Sequence, residues 1–345
     1  MSIEYRRLGN SGAIVTKLCL GTMTFGSEAD EAMSHTLLDD YVAAGGNFID
    51  TADVYSAGAS EEIVGRWLKT HTTQAAQMII ATKARFPMGS GPNDLGISRK
   101  HLGHALDASL KRLGVERIDL YQMHGWDAFT PIEETLRFLN DAVTAGKIAY
   151  YGFSNFLGWH VAKASELAKS RGFTQPVTLQ PQYSLLARGI EVEIVDACLD
   201  AGIGLLPWSP LGGGWLSGKY HRDAVPTGAT RLGENPNRGM EAYGPRNQQE
   251  RTWQILDAVQ LIAKARGRSM AQVALAWVAQ QPAVTSVILG ARTREQLADN
   301  LAAASLALTQ QEIDALNFAS APELDDYPYG IGGVNQRRRK IEGGR

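Results

Sequence analysis

Cysteine is almost missing from this chain: Cys19 and Cys198 are the only two in 345 residues. Two thiols cannot build a disulfide framework or a thiolate metal site. Each falls in an apolar run, strand-like at Cys19 and helical at Cys198, and reads as core. No metal site is expected. No apolar stretch is long enough to cross a bilayer, and Met1–Arg7 has no signal-peptide core. A cytoplasmic protein without a membrane partner is the expectation. Surplus charge is lacking too: 34 Lys and Arg stand against 36 Asp and Glu, a net charge of −2, which removes the electrostatic case for nucleic acid. There is no nucleotide fingerprint of glycines after a first strand. Gly21-Thr22-Met23 lacks its spacing, and Gly212-Gly213-Gly214 does not fit it.

What is present is a 44% apolar, 20% charged composition, suited to a globular protein with a large core. Tyr5–Leu8, a turn at Asn10-Ser11-Gly12 and Ile14-Val15 read as a β-hairpin. From Lys17 short apolar runs alternate with amphipathic ones. The runs are Leu18–Leu20, Phe48–Asp50, Met78–Thr82, Ile118–Met123, Ile148–Gly152, Thr178–Gln180, Ile203–Leu206 and Val284–Leu289. Helical spacing fills the intervals, with Gly45-Gly46 stopping one helix, Ser60 as an N-cap and Pro131 opening another. The segment 211–247 has little periodicity. Eight strand-then-helix units predict α/β architecture, a single (β/α)8 barrel over residues 1–320 with an N-terminal hairpin and an extra C-terminal helix at Thr309–Ala319. Residues 321–345, with the basic run Gln336–Lys340, read as a tail without assigned function. A doubly wound sheet is the competing architecture.

In such a barrel the C-terminal strand ends form the active face. Asp50, Lys83 and His124 close the second, third and fourth strands, and Tyr55 follows Asp50 on a loop. Adjacent strands lie roughly 5 Å apart, so these groups can meet. A phenol of pKa about 10 is a poor acid or base near neutrality, and a clamped ammonium favours its ionised form. Lys83 held by Asp50 is therefore expected to lower the pKa of Tyr55 as proton donor to a carbonyl oxygen. A neutral His124 would orient that carbonyl. A proton donor without a nucleophile implies a bound hydride carrier.

Phe48-Ile49-Asp50-Thr51-Ala52-Asp53-Val54-Tyr55, Ile80-Ala81-Thr82-Lys83 and Asp119-Leu120-Tyr121-Gln122-Met123-His124 closely resemble the aldo-keto reductase superfamily. So do Gly152–Asn155, Trp208–Gly213, Gly218-Lys219 and Leu289–Thr293. The resemblance runs from the hairpin to about Asn300. It implies a catalytic tetrad of Asp50, Tyr55, Lys83 and His124, and NADPH/NADP+ lying across the barrel mouth. Thr22, Met23 and Asp50 would border the cofactor. Ser154, Asn155 and Gln180 would hold the carboxamide, and Trp208 would stack on the nicotinamide. Ser209, Pro210, Leu211, Gly213 and Lys219 would line the pyrophosphate. Many members carry a lysine for the 2′-phosphate where Gly290 stands here; Arg292 and Arg294 are the candidate replacements, with Gln296 and Asn300 on the adenine side. Asp53 would orient nearby backbone or cofactor groups, or cap a helix or turn.

Phe25 and Trp126, with Tyr55 and His124, are the expected substrate walls, and Arg231, Arg238 or Tyr243 are candidates for a lid. The reading is an NADPH-dependent oxidoreductase interconverting aldehydes or ketones and alcohols. The alternative is an NADPH-binding regulatory subunit resembling potassium-channel β subunits, against which the short N-terminus is expected to count. A Schiff-base lyase using Lys83 is a third possibility. The sequence leaves the number of subunits open.

Overall fold

Short apolar strands that carry both faces into the interior must be covered on both sides, which parallel strands with crossover helices achieve. The computed structural model describes residues 3–228, 230–324, 326–330 and 333. Strands β1 (Tyr5–Arg7) and β2 (Ile14–Thr16) pair antiparallel as the predicted hairpin. The series then runs β3 (Leu18–Gly21), α1 (Glu31–Ala43), β4 (Phe48–Asp50), α2 (Ala59–Thr70), the short α3 (Thr72–Ala75), β5 (Ile79–Ala84), α4 (Arg99–Leu113) and β6 (Ile118–Met123). It continues through α5 (Ile132–Thr144), β7 (Ile148–Ser154), α6 (Gly158–Ser170), β8 (Thr178–Gln180), α7 (Ile194–Asp200) and β9 (Gly204–Leu205). Two short helices follow, α8 (Arg231–Glu234) and α9 (Tyr243–Asn247), then α10 (Glu250–Arg266), α11 (Met270–Ala279), β10 (Val287–Leu289), α12 (Arg294–Ala302) and α13 (Gln310–Ala319).

The sheet order is β10-β3-β4-β5-β6-β7-β8-β9, all parallel. Its two ends meet through a parallel bridge between Leu205 and Val284, with Thr285 N–H donating to Leu205 O at 2.9 Å and Ile288 N–H to Pro207 O at 3.0 Å. This is the (β/α)8 barrel that the alternation predicts. Cys19, Phe48, Ala81, Leu120, Leu206 and Ile288 fill its interior, and Leu8 and Val15 of the hairpin pack into the same cluster, closing the N-terminal end. A larger core between sheet and helices includes Tyr41, Trp67, Tyr121, Trp215 and Trp277. Tyr41 ties the parts together: its one hydroxyl proton lies within reach of Leu18 O at 2.8 Å and Phe48 O at 2.9 Å, and its oxygen bonds the hydroxyl of Thr16. Both cysteines are buried.

Several local expectations shift. Gly45, at φ +91, ends α1 as expected, but α2 is entered through Gly58 at φ +98. Ser60 therefore lies inside the helix, its buried hydroxyl donating to Thr22 O and bonding Thr51 Oγ1. The seventh strand is only two residues long, and a 3-10 turn at Gly189–Glu191 precedes α7. Segment 211–247 folds into short helical turns with Leu232 and Tyr243 buried. The basic run Gln336–Lys340 lies outside the described residues.

Candidate active site

Strand alternation decides what reaches the barrel axis. Parallel register places Asp50 beside Ala81 and Lys83 beside Gln122. Lys83, two residues beyond Ala81, then points inward above it, as does Gln122 beyond Leu120. All four residues Asp50, Lys83, Gln122 and Gln180 are essentially inaccessible. A buried ammonium must be paired and fully hydrogen-bonded. Lys83 Nζ donates to Asp50 Oδ1 at 2.5 Å, to Thr51 O at 2.8 Å and to the Tyr55 hydroxyl oxygen at 3.1 Å. An ammonium has three protons, and each now has an acceptor. The other Asp50 oxygen receives the side-chain amides of Gln180 at 2.9 Å and Gln122 at 3.2 Å.

The clamp has a directional consequence. Because the Tyr55 oxygen accepts from Lys83, its own proton is left to donate elsewhere. Tyr55 stands on a turn in which Ser56 and Ala57 hold positive φ, 49° and 53°. That conformation costs about 1–3 kcal/mol per residue, and the Ser56 hydroxyl helps hold it by donating to Phe25 O at 2.8 Å. The Tyr55 and His124 rings meet edge to face at 5.9 Å. Burial, with the Lys83 and Arg85 charges behind it, depresses the His124 pKa well below the usual imidazole value. His124 is thus neutral near pH 7, with one nitrogen free to donate.

The phenol of Tyr55 differs from the expectation. Burial outweighs Lys83, so the Tyr55 pKa lies above its ordinary value, while Asp50 also raises it and Lys83 restrains the rise. Burial opposes the charge on Lys83 as well, yet Asp50 and Tyr55 together hold its pKa above normal. The resting site is therefore a protonated phenol on a charged lysine.

Beside the tetrad, Ser154 Oγ donates to Gln180 O, and Asn155, in left-handed backbone at φ 57°, donates from Nδ2 to His124 O and Ser154 Oγ. Its Oδ1 accepts the indole N–H of half-buried Trp208 at 3.1 Å. Ser209 also has positive φ, 53°, and its hydroxyl accepts from Gly213 N–H at 3.3 Å. Pro210 is buried and Leu211 half-buried beside them. Thr22 is buried against Asp50 O, and Met23 is exposed.

At the far side Asn300 Nδ2 donates to Gly290 O, and Gln296 Oε1 accepts from Arg292 N–H. Arg292 pairs with Glu234 at 2.7 Å and Glu28 at 3.3 Å, and Arg238 pairs with the same Glu28 at 2.7 Å. These pairs carry segment 211–247 across to the loop after β3. Arg231 lies among them, its Nε buried without a partner among the described residues, and Lys219 feels the charge of Arg292.

Two expected residues fall elsewhere. Phe25 is fully buried in the outer core, because its loop folds back through a bridge to Ala29, so it lines no mouth. Arg294 pairs with Asp40 of α1 at 2.6 Å on the outer surface. Trp126, on the loop after β6, is half-buried, stacked on His160 with centroids 3.9 Å apart and edge-on to the half-exposed Trp159. The motifs include Gln122 without giving it a role, and Phe86 and Trp159 lie outside them. Gln122 was accessible from strand parity, two residues before His124, whereas Phe86, edge-on to His124 at 4.7 Å, sits on an irregular loop without such a signal.

Both carboxylate oxygens of Asp53 are buried without a well-formed hydrogen bond among the described residues, although the backbone N–H of Val54 favours their charge. Burial, with the Glu61 carboxylate adding to it, pushes its pKa up to about 7. The unfolded value is about 3.9, so between the two the folded state holds the extra proton. Stability then falls as pH rises through that window and the full penalty stands above it. Asp53→Asn is expected to raise the thermal midpoint by a few degrees at about pH 8 and by less than half as much at about pH 5. Equal gains at both, measured by calorimetry, would remove the linkage.

Among the described residues no helix is long and apolar enough to cross a membrane, and no three His, Cys, Asp or Glu side chains form a metal-binding group. Comparison with known proteins points one way. The sequence model described as "Aldo/keto reductase family" matches residues 17–320. The "Uncharacterized oxidoreductase YrpG" of Bacillus subtilis is 38% identical over 91% of this chain and 95% of its own length. The "Versiconal hemiacetal acetate reductase" of Aspergillus parasiticus is 34% identical over 93% and 98%. A "Probable voltage-gated potassium channel subunit beta" of Oryza sativa subsp. japonica is 35% identical over 91% and 95%. With its barrel and its matching sequence together, this chain belongs to the aldo/keto reductase family.

Proposed function

We propose that the protein is an NADPH-dependent carbonyl reductase, reversible toward alcohol oxidation, with Tyr55 as proton donor. The observation that carries this reading is the saturated ammonium of Lys83, which fixes the Tyr55 oxygen and leaves the phenol proton for a substrate. A carbonyl oxygen placed between the Tyr55 hydroxyl and neutral His124 would receive two hydrogen bonds that strengthen as negative charge develops on it. When bound, the reduced nicotinamide supplies the hydride.

The residues fit a dinucleotide on their own chemistry. Gly213 and Gly214 hold positive φ, 65° and 100°, and a Cβ on Gly214 would come within 2.5 Å of Lys219 Cε. Only glycine leaves that backbone open to a close-lying phosphate. Four cations, Lys219, Arg231, Arg238 and Arg292, gather nearby, and the orphaned Nε of Arg231 wants an anion. Arg292 would take the 2′-phosphate, exchanging Glu234 or Glu28 for it. Ser154, Asn155 and Gln180 would hold the carboxamide beside Trp208.

Loss of reduced-nicotinamide absorbance with a panel of aldehydes and ketones tests the proposal, and no turnover of any of them would contradict it. In the same assays Arg292→Ala is expected to weaken NADPH binding about tenfold while leaving NADH within a factor of about two, since one charge-assisted bond to phosphate is lost. Equal losses would reject the phosphate role. The likeness to plant channel β subunits supports a binding role only through sequence; the intact proton-delivery clamp favours catalysis.

A further inference from the structure

Arg85 is the first residue beyond β5, two positions after Lys83, and the mechanism above does not use it. Its Nε donates to Trp126 O at 3.3 Å, and its guanidinium lies over the Phe86 ring with Cζ 5.0 Å from the centroid. Phe86 in turn touches the His124 ring. Gly125 makes room for this arm, since a Cβ there would sit 3.3 Å from both Arg85 Cδ and Nε. The side chain is half-buried at the mouth, and among the described residues it forms no ion pair.

The opposite charge facing it is the carboxylate of Asp127. Its oxygens are already taken within the neighbouring loops by Ile97 N–H, Phe129 N–H and Thr130 Oγ1. Among the described residues no other charged side chain pairs with Arg85, whose own charge is felt by His124. The Nη atoms of Arg85 thus have no protein partner among the described residues, although a half-desolvated guanidinium forms strong two-pronged bonds with carboxylates. Trp126, whose carbonyl accepts from Arg85, carries an apolar ring stacked on His160 and flanked by Trp159, while Phe86 lies between the cation and His124.

We propose that Arg85 makes this mouth selective for aryl carbonyl compounds bearing a carboxylate, the ring lying against Phe86 and Trp126 and the acid group against the guanidinium. This rests on the carbonyl-reductase reading and names its substrate class. The reacting carbonyl stays at Tyr55 and His124, and the carboxylate undergoes no chemistry.

The test compares benzaldehyde with 3- and 4-carboxybenzaldehyde under NADPH saturation. One carboxylated isomer is expected to exceed benzaldehyde in kcat/KM on the order of tenfold, through KM, as one charge-assisted pair would give. In Arg85→Met that ratio should fall to about one, in Arg85→Lys part of it should remain, and added salt should lower it in the wild type. A ratio near one in the wild type, or one unchanged in Arg85→Met, overturns the proposal. Calorimetric binding of 4-carboxybenzyl alcohol and benzyl alcohol to the NADP+-loaded protein separates the two claims. If no aldehyde turns over but the carboxylated alcohol binds more tightly and Arg85→Met abolishes that advantage, the reductase reading falls and the anion site stands. Absence of both turnover and a binding difference overturns both.

Discussion

Tyr55→Phe is expected to lose about 10²–10⁴-fold in carbonyl reduction, the range a positioned general acid supplies, while binding NADPH with near-wild-type affinity. The reason is local. The phenol oxygen accepts from Lys83 at 3.1 Å, so only its proton faces outward, and the ring lies edge-on to His124. Phenylalanine keeps the ring and its packing and deletes the proton. Since burial holds the Tyr55 pKa above its ordinary value, reduction in the wild type should not decline across neutral pH through loss of the phenol proton. Neutral His124 cannot replace Tyr55 as the acid, because donating its ring proton would leave an imidazolate. Stopped-flow turnover with fluorescence titration of the cofactor reads both quantities. A variant retaining more than about a tenth of the wild-type rate would show that the proton comes from another group.

Lys83→Met should be the most destabilising single change at the site. It removes the cation from a pair in which Lys83 is wholly buried and Asp50 nearly so, leaving the carboxylate with only the amides of Gln122 and Gln180. Breaking a buried pair from one side costs about 3–5 kcal/mol, since one charge remains uncompensated, whereas replacing both partners costs much less. The double variant Lys83→Met/Asp50→Asn is therefore expected to recover a large part of the lost stability in urea unfolding, and none of the activity. If the double variant is no more stable than Lys83→Met, the loss arises from packing rather than from the orphaned carboxylate.

How far the sequence discloses such a site depends on which physical signal a residue carries. Asp50, Lys83 and His124 stand out because charged or polar groups close apolar strands, and such groups must converge on partners. Strand parity would also have disclosed Gln122, which shares a register position with Lys83. The direction of the Tyr55 shift was not legible, because it depends on how completely the ring is buried rather than on which charge is near. Phe25 was misplaced for a related reason: an aromatic after a strand says nothing of which way its loop turns, and the bridge to Ala29 turns this one into the core. The partners of Arg292 and Arg238 were invisible because Glu28 lies on the first barrel loop, 264 and 210 positions away. Such pairings are set by barrel closure, which joins β10 to β3, and no local pattern announces them.

The most direct measurement follows the label when an aldehyde is incubated with the protein and NADPH carrying deuterium at the transferable nicotinamide position. The expected product is an alcohol with one deuterium on the former carbonyl carbon and, in deuterium oxide with unlabelled NADPH, none on that carbon. An alcohol that takes its carbon-bound hydrogen from solvent, or no alcohol from any carbonyl compound tried, would contradict the reductase reading.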